Sequence, residues 1–210
     1  MVSRRVVRSY QARYSLGANK ATINDLTDAI DVHAHARGDD EEEPLHAAQE
    51  ATRAGWKAIL FKGISPGRPW EVARRLQDDV DRWAERQGLR PVKCLPAYII
   101  GIPLKPIDFA HIKAAVEGGV KGVWMPPVTS AWSISRLGGR GNWFDERRRP
   151  DEPVPPVVWE EALKTGLYVL DDHGRLLPAI RDTVRLVADH GVTLSFGHLS
   201  PQEMDALAEE

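Results

Sequence analysis

The chain has 210 residues, 42% hydrophobic and 28% charged, with a formal net charge of −2. That balance is typical of one soluble globular domain and removes the electrostatic case for nucleic acid or an anionic membrane surface. A lone cysteine, Cys94, excludes an intrachain disulfide, and no signal-peptide h-region or membrane-length apolar run occurs, so a cytoplasmic location is expected.

Residues 1–24 are mixed in charge and weakly periodic, and read as an N-terminal extension to a domain over 25–210. "AIDVHAH" (29–35) then alternates as a short strand. "PLHAAQEATRAG" (44–55) reads as a helix, with the acids Asp39–Glu43 at its positive end and Gly55 just past its last turn. "WKAILFKG" is an apolar run of strand length. "PWEVARRLQDDVDRWAERQG" places Val72, Leu76, Val80 and Trp83 at helical spacing and stops at Gly88. "PVKCLPAYIIG" is a strand that Pro96 is expected to bend or end early. "IDFAHIKAAVEGG" is a helix with Ile107, Ala110, Ala114 and Val116 on one side, and "VKGVWMPP" is a strand. The Pro-, Gly- and Arg-rich stretch at about 127–156 carries Trp132, Trp143 and Phe144 and reads as an insertion or lid. "LLPAIRDTVRLVADHG" is a helix and "VTLSFGHLS" a strand. "SPQEMDALAEE" is a final helix, with Ser200 able to cap it and Pro201 at its first position.

Strands alternating with long helices predict parallel strands joined by right-handed crossovers. The two solutions are an open doubly wound sheet and a (β/α)8 barrel. No G-x-G-x-x-G or P-loop motif is present to favour a nucleotide-binding open sheet. About five or six strands can be counted where a TIM-like barrel needs eight, so the barrel is expected to be incomplete and to lack its C-terminal part. Open edges and apolar helix faces lead to an expectation of homo-oligomer formation.

Alternate residues of a strand share a face, so Asp31, His33 and His35 are expected to point one way. Two imidazoles at that spacing either share a divalent ion or are polar residues at a strand end. His198 in "SFGHLS" closes a later strand and favours the ion, because ligands at a barrel mouth come from several strand ends. Asp31 then suits a supporting role, holding an imidazole N–H. Lys62, closing "ILFK", suits an anionic substrate or, if carbamylated, the metal itself; the alternative is a structural or solvated lysine. Asp171, Asp172 and His173 read as a turn, and His46, His111 and His190 as surface residues. Cys94 reads as a small buried apolar residue.

"DVHAHARGDD", "AGWKAILFKG" and "GVTLSFGHLSPQE" together resemble the amidohydrolase superfamily, in particular a poorly characterised group of bacterial amidohydrolase-like proteins. The resemblance runs from about Leu26 onward. It implies a metal-dependent hydrolase on a (β/α)8 barrel, with His33, His35 and His198 as ligands to zinc, or to manganese or iron. Lys62 matches a lysine that recurs in the group without an assigned role. The superfamily's further histidine and its strand-terminal aspartate have no counterpart here, so the general base is expected beyond Glu210. The implied substrate is a small-molecule amide, cyclic amide, lactone or ester, attacked by metal-bound hydroxide. A metal-dependent phosphoesterase is the alternative chemistry. A barrel fragment that binds metal or ligand without turnover is the non-enzymatic alternative.

Overall fold

Five strands form one all-parallel sheet in the order β1 (Ile30–His35), β2 (Ala58–Lys62), β3 (Lys93–Ile99), β4 (Gly122–Trp124) and β5 (Thr193–Ser195). The computed structural model describes residues 26–35, 42–65, 67–102, 106–137 and 159–210. The N-terminal extension and most of the 127–156 segment, Trp143 and Phe144 included, lie outside the described residues.

Each crossover places its strand next to the preceding one. A doubly wound sheet reverses direction at a switch point; none occurs among the described strands. Sequential winding is the barrel pattern, and the sheet curls as a barrel wall does. His33 on β1 and Trp124 on β4 have ring centroids only 5.6 Å apart. In a flat sheet, three strand spacings would separate β1 from β4 by about 14 Å. Residues of β1 and β5, its two edges, also line a single cleft. The fold is therefore a curled half-barrel of α/β type.

The helices are α1 (Glu42–Arg53), α2 (Pro69–Gln87), α3 (Phe109–Glu117), α4 (Ala131–Leu137), α5 (Trp159–Thr165), α6 (Pro178–Asp189) and α7 (Pro201–Glu209). Residues from α1 and α2 join Ile59 and Phe61 in one core cluster. Residues from α3, α6 and α7 join Val123 and Met125 in another. The opposite face of the sheet, inside the curl, holds only a small cluster of Leu60, Ala97 and Trp124. Apolar burial is thus concentrated between sheet and helices, and it leaves the concave face for other uses.

Two sequence expectations change. Pro96 does not cut β3 short: the strand runs from Lys93 to Ile99, and Pro96 pairs with Phe61. Its carbonyl accepts from Lys121 N–H, while its missing donor falls where β4 has not begun, since β3–β4 pairing starts at Ala97 opposite Gly122. In α3 the buried side is Ile112, Ala115 and Val116; Ala110 and Ala114 are exposed. The helix starts only at Phe109, where the Asp108 carboxylate caps it, and that start sets which positions face the sheet. Within the 127–156 segment the described residues include α4, where Arg136 stacks on the Trp132 ring at 4.3 Å.

Candidate active site

Three of the strands bring polar side chains to one end of the concave face. β2 is buried along its whole length, and its last residue is Lys62, only 5% exposed. Lys62 pairs with His35 of β1 on one side and Ala97 of β3 on the other. The small side chain of Ala97 leaves room for the lysine to lie over the sheet.

β1 reaches this point through a bulge. Asp31 is opposite Ile59 and Ala34 opposite Phe61, so Val32 and His33 together face one residue of β2. The extra residue breaks the expected alternation. Before the bulge Asp31 shares the helix-side register of Ile59; after it His35 shares the concave register of Lys62. Asp31 therefore does not share a face with His35, as strict alternation predicts. Its carboxylate accepts from the backbone N–H of His33 at 2.8 Å, holding the bulge rather than an imidazole.

The His33 ring lies parallel to that of His35 with centroids 5.2 Å apart, and its Nε2 is 3.3 Å from Lys62 Nζ. Lys62 Nζ also stands 5.9 Å from the centre of the Trp124 ring. Trp124 folds back over Gly122: a Cβ at that glycine would meet the ring at 2.3 Å. His198 comes from the loop after β5. Gly197 turns there with φ 63° so close to β4 that a Cβ would meet Met125 O at 3.1 Å. Ser130 Oγ donates to His198 O at 2.7 Å, and Ser133 Oγ is 3.4 Å from its Nδ1. Just beyond, the fully buried Glu203 carboxylate accepts from Ser200 N, Ser200 Oγ and Val169 N, which anchors the start of α7.

Burial holds the His33, His35 and His198 imidazoles below their ordinary pKa, and the Lys62 charge adds to the effect in all three. Asp31 pulls His33 and His35 the other way, more weakly. Burial also lowers the Lys62 ammonium. The imidazoles are thus kept neutral near pH 7, the form that binds metal or accepts a proton. A cleft of ≈ 380 Å³ opens beside His33, lined also by Val32, Trp124 and residues 193–196. Small-molecule sites fall in this size range.

No curated protein matches the chain in sequence. A family model matches residues 28–210. The chain belongs to the DUF6282 family. That family is described as one of unknown function. Among solved structures, a tetrameric deoxyribose phosphate aldolase from Aeropyrum pernix is similar at 15% identity and a TM-score of 0.31, over 94% of this chain and 72% of that one. A putative deoxyribose-phosphate aldolase from Coccidioides immitis is similar at 15% identity and a TM-score of 0.33, over 98% and 78%. Likenesses this distant carry no argument about the chemistry of this DUF6282 member.

The residues singled out in sequence therefore come together in part. His33, His35, Lys62 and His198 share one mouth and feel one another's charge. Even so, among the described residues no three His, Cys, Asp or Glu side chains are grouped as one ion would require. Asp171 accepts from His173 N and Arg175 N in a turn, as the Asp-His-Gly signal suggests. Cys94 is buried on the helix side, and burial together with Asp81 pushes its thiol up to about 12. Sequence reasoning missed Trp124, Ser133 and Glu203. Trp124 had a usable signal: it closes "GVW" as Lys62 closes "AILFK", and strand ends are where barrel chemistry sits.

Proposed function

We propose that this mouth is the catalytic centre of a metal-dependent hydrolase acting on a small-molecule amide, cyclic amide, lactone or ester. The observation that carries the reading is that His33, His35 and His198, from the two edges of a curled parallel sheet, open on one mouth with their imidazoles held below their ordinary pKa. His33 and His35 would hold the ion from β1, and His198 would hold it from the β5 loop. The donor set fits in kind, since unprotonated imidazoles suit zinc. When bound, a divalent ion of this sort acidifies water and polarises a carbonyl. The amidohydrolase resemblance supports the same reading.

The chain's own residues have separable tasks. The bulge fixes where the His33 ring sits, and the Asp31 carboxylate fixes the bulge. Ser133 orients His198 through Nδ1. Lys62 at His33 Nε2 opposes an ion as the side chains stand, so ion binding requires Lys62 to turn to another partner. That contact favours the second reading, a site that binds a ligand without an ion.

Metal analysis of the purified 210-residue chain separates the two. The hydrolase reading expects about one equivalent of zinc, manganese or iron, lost on His33→Ala and on His198→Ala, and turnover on a panel of amides, lactones and esters. Trace metal that neither substitution changes would sink it and leave the ion-free site.

A further inference from the structure

We propose that the concave mouth recognises a carboxylate, gripped between Lys62 Nζ and the Trp124 indole N–H. The inference rests on the reading of this mouth as a substrate site, and it names the class of substrate: small molecules carrying a carboxylate near the bond to be cleaved.

Two hydrogen-bond donors here have no oxygen acceptor among the described residues. Trp124 is 3% exposed, yet its Nε1 has no hydrogen-bond partner among the described residues. A buried donor left without an acceptor costs stability, so orphans of this kind mark places where a ligand oxygen belongs. Lys62 is 5% exposed and has no carboxylate partner among the described residues; its one polar contact there is His33 Nε2. A lysine amine donates in either protonation state, so it can serve an acceptor whatever its charge. Lys62 Nζ stands 5.9 Å from the centre of the indole ring, and Trp124 lines the cleft beside His33. The Trp124 ring is held in place by Gly122, whose missing side chain is the space the ring fills.

The donor set also says which anion. Phosphate sites usually gather Arg, several backbone N–H groups or a helix N-terminus. One lysine and one indole N–H, against a wall of Leu60 and Ala97, match a single-charged carboxylate on an apolar body better. The chemistry is the same whether that group is a free acid or the carboxylate of an N-acyl amino acid.

The test uses the whole chain, chelator-treated and again zinc-supplemented, with metal content measured on the same samples. Benzoate, its uncharged isostere benzamide, and inorganic phosphate are titrated while the indole N–H resonances are followed by NMR; Trp124→Phe identifies the one that belongs to Trp124. Benzoate should bind about tenfold or more tightly than benzamide and should move the Trp124 resonance. Lys62→Met should remove the preference, and Trp124→Phe should weaken benzoate severalfold with benzamide unchanged. Equal affinity for the two isosteres, a still Trp124 resonance, or phosphate displacing benzoate at lower concentration would each overturn the proposal. Zinc binding without carboxylate preference overturns this inference alone. Carboxylate preference without any bound metal overturns the hydrolase reading alone.

Discussion

Phe61 and Lys62 are neighbours on β2, both buried, and they face opposite sides of one sheet. Phe61 is sealed among Ala48, Ala51, Ile59, Leu76 and Val80 under two helices. Lys62 lies on the concave side, beside a small cluster of Leu60, Ala97 and Trp124. The helix side holds the fold together. Among the described residues, the concave side carries a cation without a carboxylate, an indole N–H without an acceptor and three imidazoles kept neutral. A buried cation and a buried donor without such partners cost stability and persist where a ligand makes use of them.

The sharpest way to break that contrast is to truncate both neighbours. Phe61→Ala removes a fully buried ring from a closed core and should destabilise by about 3–5 kcal/mol. Lys62→Met deletes a buried amine and keeps most of its length, so stability should stay within about 1 kcal/mol of the parent or rise. Denaturant unfolding at pH 7.5 measures both. A Lys62→Met loss as large as that of Phe61→Ala would mean that the lysine belongs to the core and the two faces do not divide the work.

Much of this division was legible in sequence. Strand and helix placement followed from apolar runs bounded by Gly and Pro. The parallel sheet followed from their alternation, and the site candidates followed from strand ends. What could not be read were events that depend on a neighbouring strand. The bulge that separates Asp31 from His35 is a register shift against β2, and nothing in "IDVHAH" distinguishes a bulged strand from a regular one. Pro96 was misjudged for the same reason: whether a missing N–H matters depends on where β4 begins. Trp124 was overlooked because a tryptophan in an apolar run reads as core until its indole nitrogen is found unpartnered.

A smaller effect is expected where the two faces meet. Glu203 sits at the helix-side start of α7, three residues after Ser200 and five after His198, and satisfies three buried donors. Glu203→Ala strands the Val169 and Ser200 N–H groups and removes the capping box, a loss of about 2–3 kcal/mol. Glu203→Gln keeps an acceptor at the same length and should lose about half as much. Because His198 precedes this anchor, the alanine variant should also broaden the His198 ring signals in NMR while those of His33 and His35 stay sharp. Equal broadening in all three would show that Glu203 supports the whole mouth rather than the β5 side.

The smallest effect is in the pH dependence, and it belongs to the concave face alone. His33, His35 and His198 have pKa values below 6.5 in the folded chain, through burial first and Lys62 second. As pH falls through about 6.5, the unfolded chain takes up protons before the folded one, so acidification favours unfolding. The imidazoles therefore cost nothing above 6.5, and stability declines from there down through the lowered values. Asp171, held at about 2 chiefly by the Arg175 backbone N–H, contributes its loss only at pH far below this window. Thermal unfolding of chelator-treated chain between pH 7.5 and 5 should show Tm falling with pH, and His33→Asn, His35→Asn and His198→Asn combined should flatten that slope. A slope that survives the triple substitution would place the acid sensitivity outside the concave face and remove the electrostatic half of the contrast between Phe61 and Lys62.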